Sequence, residues 1–297
     1  MNDYIASLIQ TTCISMIGVV SIFPLTGMTG LFSFGQAAYM AVGAYVSGLL
    51  AVKLGMPFWI CLLLGVLSCG ILAIIIGFPT LKLRKDYFSL MSLCLGEAVT
   101  AVLNKFGTVT GGAAGLSNIP KKSTMPMIII SAIATVVLVA LFKNSRFGRM
   151  SLAIKADELA AKSFGINVFA HKMKVYIFTS MIAGYAGVLY AFYLTYLDPN
   201  LFGWTRSSEW VIFLFFGGVN SLTGSVLSTI ILTVLPEVLR FASSARIVMY
   251  TVLILLVINF KPNGLMGEKE LRIPIRRLLK SGPNGGEADG VAQGGKR

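Results

Sequence analysis

The chain has 297 residues, of which 56% are hydrophobic and 12% charged, and its mean hydropathy is +0.80. A soluble domain of this size could not bury so much apolar surface, so the composition indicates an integral membrane protein. The net charge of +13 does not indicate nucleic-acid binding, because the basic residues lie beside apolar runs and do not form one patch.

A membrane-crossing helix needs about 20 mostly apolar residues, and by that rule the chain is an all-α polytopic protein with about eight to ten spans. Residues 1–267 are assigned to one transmembrane domain, and residues 268–297 to a basic, then disordered, cytoplasmic tail. The four cysteines lie in apolar runs without a CxxC pair, so no disulfide or metal site is predicted. The predicted spans are residues 4–24, 31–52, 57–79, 87–104, 126–142, 174–196, 209–219, 222–238 and 246–260.

Two of these apolar segments are interrupted by glycine and polar residues, one around residues 27–35 and the other around residues 217–224. Backbone that leaves the helical conformation at membrane depth must contact protein or water and not lipid. One interrupted segment in each half of the chain suggests a duplicated fold with a translocation pathway between the halves. We therefore predict that this pathway is lined by Ser33, Gln36, Asn220 and Ser221.

Glu97 lies in the middle of a predicted span, and helical spacing places Thr100 and Asn104 on the same face. A carboxylate at mid-bilayer costs about 2.5 to 3.5 kcal/mol on insertion scales, so it is expected to face the bundle interior or water. Three roles remain open at this point: a structural hydrogen bond between helices, pathway lining together with Thr100, or a proton site. No basic residue lies near it in the span, so we expect no strong ion pair.

The basic residues indicate an orientation, because loops on the cytoplasmic side of membrane proteins are enriched in Lys and Arg. With residues 143–174 inside, the inner segments carry 18 of the 25 basic residues, and Arg206 counts among the outer ones. This distribution predicts an extracytoplasmic N-terminus and a cytoplasmic C-terminus.

The basic segment 143–174 contains a short predicted helix whose two ends are marked. Asp157 can cap its N-terminus, Glu158 suits the positive end of the helix dipole, and Gly165 can adopt the left-handed conformation after its last turn. The adjacent Ala160 and Ala161 leave one flank low, so that another protein's backbone could approach. An amphipathic helix lying on the lipid surface is the alternative interpretation.

This helix resembles the EAA loop of ABC-importer permeases, the segment that docks into the ATPase subunit. The wider segment is similar to the version found in branched-chain amino-acid permeases, the M-type subunits of the Liv systems. Three further motifs extend the resemblance over roughly residues 15–267. The motifs are Glu158-x-Ala160-Ala161-x-x-x-Gly165, residues 30–38 (GLFSFGQAA), residues 110–120 (TGGAAGLSNIP) and residues 261–267 (KPNGLMG).

The resemblance implies a non-enzymatic permease subunit of an ATP-driven importer for branched-chain or other hydrophobic amino acids, located in the inner or plasma membrane. It implies a second homologous permease subunit, two cytoplasmic ATPase subunits and an extracytoplasmic solute-binding protein as partners, besides membrane lipid. ATP would be bound by the partners, since this chain has no Gly-x-x-x-x-Gly-Lys-Ser/Thr phosphate loop. The residues expected to couple to the ATPase are Asp157, Glu158, Ala160, Ala161 and Gly165.

The sequence leaves three alternative functions. A permease for urea or short amides belongs to the same class of transporter. A proton-coupled secondary transporter using Glu97 belongs to a different class, and the motif around Glu158 argues against it. A purely structural membrane scaffold would not explain the polar groups at mid-depth.

Overall fold

The computed structural model describes residues 2–238 and, beyond them, residues 251–252, 254–255, 259–261 and 264–267. Between residues 2 and 238 the chain forms helices joined by short connections, with an isolated antiparallel bridge between Leu116 and Leu197. The helices are α1 (Asn2–Phe23, continued by a π-helical turn at Pro24–Met28), α2 (Gln36–Leu54), α3 (Phe58–Thr80), α4 (Lys85–Lys105), α5 (Gly107–Thr110), α6 (Met125–Asn144), α7 (Arg146–Ala156), α8 (Glu158–Ser163), α9 (Val168–Leu194), α10 (Trp204–Gly217) and α11 (Leu222–Val238).

Six helices in the described part are long and apolar enough to cross a membrane, namely α1, α2, α3, α4, α6 and α9. The pair α10–α11 passes the same test only as a broken element, because the chain bends by 119° at the break between them. The prediction of an all-α polytopic membrane protein is therefore confirmed. The predicted span at residues 246–260 lies largely outside the described residues, and so does the tail at residues 268–297.

Three helix starts differ from the prediction by five or six residues. Helix α2 begins at Gln36 and not at residue 31, because the glycine-interrupted segment before it is not helical. Helix α9 begins at Val168, where the Asn167 side chain accepts a hydrogen bond from Ala170 N at 3.0 Å. Helix α10 begins at Trp204, five residues earlier than expected. Hydropathy alone misses the first two turns of α9, where His171, Lys172 and Lys174 interrupt the apolar residues, and the first turn of α10, which contains Arg206.

The centre of the bundle is formed by α2, α3 and α9, which pack through small residues. Gly43 of α2 lies against the backbone of Gly184 in α9, and Gly187 of α9 lies against the carbonyl oxygen of Met40. Because lipid and helix surfaces are equally apolar, membrane helices associate through close backbone approach, which glycine permits. These glycines therefore position α2 and the interrupted segment that precedes it.

The two ends of the bundle differ in charge. At one end, Glu158 of α8 pairs with Lys172 of α9 at 2.6 Å and lies 4.0 Å from Lys85 at the start of α4. We call this end, which also carries α7, the basic end. At the opposite end, Leu197 holds the connections between helices together. It forms the bridge with Leu116, and its carbonyl oxygen accepts a hydrogen bond from the Tyr45 hydroxyl at 3.0 Å.

The close contact of Gly187 in α9 with Met40 in α2, where the two helices cross, yields a stability prediction. Gly187→Ala should lower the unfolding free energy of the detergent-purified chain by about 1–3 kcal/mol, because the new Cβ would overlap the backbone of Met40. Gly70→Ala is the matched control in α3, since its Cβ would meet no atom closer than 3.4 Å, on Met181. Thermal unfolding followed by fluorescence-detected gel filtration measures both variants. Equal stability of the two variants would contradict the role assigned to the crossing.

Candidate functional site

The two interrupted segments meet at Lys155 of α7. Its ammonium group donates hydrogen bonds to Gly27 O and to the side-chain oxygen of Asn220, both at 2.7 Å. Lys143 donates to Asn220 O at 3.1 Å, and a Cβ on Gly27 would lie 2.5 Å from Val219 O. The end of α1 and the break between α10 and α11 therefore contact each other, and a side chain from segment 143–174 joins them.

A cavity of about 490 Å³ opens beside this junction. It combines two basic side chains with an amide and an apolar wall, and it has residues of α1, α6, α7 and the α10–α11 break on its surface. The lining residues are Phe23, Gly27, Met28, Lys143, Leu152, Lys155, Ala156 and Asn220.

The first interrupted segment is held at depth by serine side chains. Ser92 of α4 accepts from Phe34 N at 2.9 Å, and Ser207 of α10 accepts from Ala37 N at 3.0 Å. Ser33 is fully buried, and its hydroxyl accepts from Gly35 N within the turn. Gln36 is also fully buried, and neither side-chain amide atom has a hydrogen-bond partner among the described residues. Of the two residues in this segment that are predicted to line the pathway, Ser33 and Gln36, only Gln36 thus has side-chain polar atoms without a hydrogen-bond partner among the described residues.

The second interrupted segment lies at the basic end. Asn220 is exposed and bound by the two lysines described above. Ser221 is buried, and its hydroxyl accepts from Gly224 N at 3.1 Å, which caps the first turn of α11. Ser221 therefore has a clear structural task, and the predicted pathway role of both residues stays a prediction.

The sequence predicts that Glu97 faces the bundle interior or water on the same side of α4 as Thr100 and Asn104, but in the structure it does not point into the bundle with Thr100. Its side chain is exposed on α4, where the carboxylate accepts a hydrogen bond at 3.0 Å from Trp204 N, the first amide of α10. Thr100 is buried and bonds within its own helix to Gly96 O, whereas Asn104 contacts Asn200 at 3.4 Å. The carboxylate turns toward α10 because the unsatisfied amides at a helix N-terminus attract an anion. The ion pairs of the described part of the chain do not include Glu97.

Helix α8 has the local geometry predicted for it. Asp157 Oδ1 accepts from Leu159 N and Ala160 N at 2.7 and 3.1 Å, and Gly165 has a φ of +78°. The prediction that Ala160 and Ala161 together form one low, accessible flank of the helix is wrong. Only Ala160 faces outward, while Ala161 is 2% exposed and packs with Ile154 and Val168. Ala160 and Ala161 lie on different faces of α8, because consecutive residues of a helix point about 100° apart.

The comparison with known proteins identifies the family. The family model described as the permease component of branched-chain amino acid transport systems matches residues 4–258. The chain belongs to this family.

Three relatives show the spread of the similarity. The chain is 28% identical to the high-affinity branched-chain amino acid transport system permease protein LivM of Salmonella typhimurium, over 89% of this chain and 69% of that protein. Against LivM of Escherichia coli the identity is 28%, over 82% and 65%. A nucleoside ABC transporter permease protein, NupC, of Lactococcus lactis is 24% identical over 62% and 65%. The chain thus covers about two thirds of these relatives' length, and no solved structure matches it.

Sequence reasoning missed two groups of residues in this permease. Leu159 and Phe164 flank α8 and are 77% and 85% exposed, although both are large and apolar. Arg206, which the sequence alone places among the outer residues, lies on α10 and pairs at 3.0 Å with Glu209, the first residue of the predicted span 209–219. The spacing of three residues between this acid and base was a signal for the early helix start, since such pairs share a helix face.

The contact of Glu97 with α10 gives the second prediction. Glu97→Leu should lower the unfolding free energy by about 0.5–2 kcal/mol, because Trp204 N loses its acceptor at a helix N-terminus. Glu97→Gln is the matched control and should stay close to wild type, since its amide oxygen can accept the same hydrogen bond. Thermal stability of the purified chain measures the difference. A Gln variant as unstable as the Leu variant would show that the negative charge, and not the hydrogen bond, matters.

Proposed function

We propose that this chain is the membrane-spanning permease subunit of an ATP-driven ABC importer for branched-chain or other hydrophobic amino acids. Family membership supports the class of protein, and the names of the LivM relatives support the solute. The observation that carries the proposal is α8. This capped helix presents Leu159 and Phe164 at the basic end, where a soluble partner can bind a short helix in a groove.

In this proposal the chain works with a second homologous permease subunit, two ATPase subunits that bind ATP, and a solute-binding protein. The basic end is cytoplasmic, so the N-terminus lies outside, the C-terminus lies inside, and the importer resides in the inner or plasma membrane. ATP binding draws the ATPase subunits together and displaces α8. The movement passes through α7 and Lys155 to both interrupted segments, which alternately open the pathway to either side.

Reconstitution into proteoliposomes tests this function. The chain with its three types of partner should take up L-leucine, L-isoleucine or L-valine only with ATP, and the purified chain alone should not hydrolyse ATP. Urea and uridine are included, because they separate the amino-acid importer from the urea permease and from a nucleoside permease such as the Lactococcus relative. Uptake driven by a pH gradient without ATP would refute the proposal and favour a proton-coupled transporter.

The exposed side chains of α8 give a sharper prediction. Phe164→Asp should weaken binding of the ATPase subunits about 10-fold, because a buried aromatic anchor at an interface is replaced by a charge. Phe106→Asp is the matched control at the opposite end, where Phe106 is 56% exposed. Co-purification and biolayer interferometry with the ATPase subunits measure the effect. Equal binding by the two variants would exclude Phe164 from the interface.

A further inference from the structure

The ion pair Arg206–Glu209 lies near the middle of the bundle along the length of its helices. Trp204 begins α10 at the level of Glu97, which lies about 18 Å along α4 from Lys85. Arg206 and Glu209 follow within the next two turns, toward the basic end. Arg206 also donates to Ser15, in the middle of the span Tyr4–Met28, at 3.5 Å. Two independent helices therefore place the pair near half depth.

This pair lines a cavity of about 520 Å³ beside α10. The Arg206 side chain is 22% exposed and that of Glu209 is 42% exposed. Charged groups that reach open space at this depth face water or another protein surface, since hydrocarbon disfavours them strongly. The cavity is lined by Asn200, Leu201, Trp204, Thr205, Arg206, Ser208, Glu209, Ile212 and Phe213.

We propose that this cavity binds a free α-amino acid as its zwitterion, an inference that rests on the proposed function. Arg206 would donate to the α-carboxylate, for which a planar guanidinium is well suited, and Glu209 would accept from the α-ammonium group. Leu201, Ile212 and Phe213 supply apolar surface for an aliphatic side chain. The volume lies within the range typical of small-molecule sites.

The charges of the site suit a zwitterion and not a singly charged solute. Without solute, Arg206 and Glu209 neutralise each other at 3.0 Å. A bound zwitterion offers each of them a second partner of opposite sign and adds no net charge to the site. A solute that lacks either group would leave one of the two side chains without that added partner. The site therefore predicts discrimination against both leucinamide and 4-methylpentanoate, which retain the leucine side chain.

Cysteine protection in the assembled transporter tests this site. Ser208→Cys places a thiol in the cavity, and mass spectrometry of the peptide that contains residue 208 follows its reaction with N-ethylmaleimide. L-Leucine should slow this reaction about five-fold by mass action, whereas leucinamide and 4-methylpentanoate should not. Lys53→Cys, at the far end of α2, is the control that leucine should leave unchanged. The reaction is measured without nucleotide and with a non-hydrolysable ATP analogue, so that both orientations of the pathway are sampled.

Charge variants supply the second readout. Arg206→Gln and Glu209→Gln should each abolish leucine protection at residue 208 and lower ATP-driven leucine uptake about 10-fold, because one charged partner of the solute is lost. Assembly of both variants, measured by gel filtration, should remain close to wild type. Lys53→Gln, which also removes one charge, should change none of these quantities.

The outcomes separate this inference from the proposed function. Leucine uptake by the wild-type transporter without protection at residue 208 in either nucleotide state would overturn the zwitterion site alone. Unchanged uptake by both Gln variants would do the same and would leave Arg206–Glu209 as a structural pair. A wild-type transporter that takes up no amino acid would overturn both.

Discussion

The hydrogen bonds of Lys155 connect the parts of the structure that sequence and chemistry mark as unusual. Gly27 O and Asn220 belong to different helix interruptions, and one ammonium group binds both at 2.7 Å. Backbone that leaves a helix within a membrane protein needs partners for its polar groups, because lipid offers none. Here those partners come from side chains of other helices, Ser92 and Ser207 at the first interruption and the lysines at the second. The arrangement of the interruptions thus depends on α7.

Helices α7 and α8, which lie outside the spans, are part of the internal packing of the bundle. Ile154 of α7 and Ala161 of α8 are buried together with Val168 at the start of α9. Glu158 adds an ion pair to Lys172 of α9 at 2.6 Å. Packed side chains and hydrogen bonds therefore form a continuous set of contacts from α8 to α9 and to both interruptions.

Local features were predictable from the sequence, because they depend on neighbouring residues. The apolar runs gave the spans, Asp157 marked the cap of α8, and the positive φ of Gly165 followed from its place after the last turn. The direction in which a side chain points was harder to predict from the sequence. Ala161 turned inward and Glu97 turned toward α10, because both depend on which helix lies alongside, and spacing within one helix does not contain that information.

The same limit explains why the sequence alone places Arg206 among the outer residues. Its polar neighbourhood, residues 204–209, contains too few apolar residues to register as a span, yet the N-terminus of α10 lies beside Glu97 and is thereby fixed at depth. Side chains exposed on α3 and α6 are, by contrast, large and apolar, among them Trp59, Ile71, Ile75, Ile130 and Ile133. Hydrocarbon suits that surface, whereas the surface with Glu97, Arg206 and Glu209 requires water or protein. The bundle is therefore two-sided: one side presents large apolar side chains suited to lipid, and the other presents charged groups that need water or another protein surface.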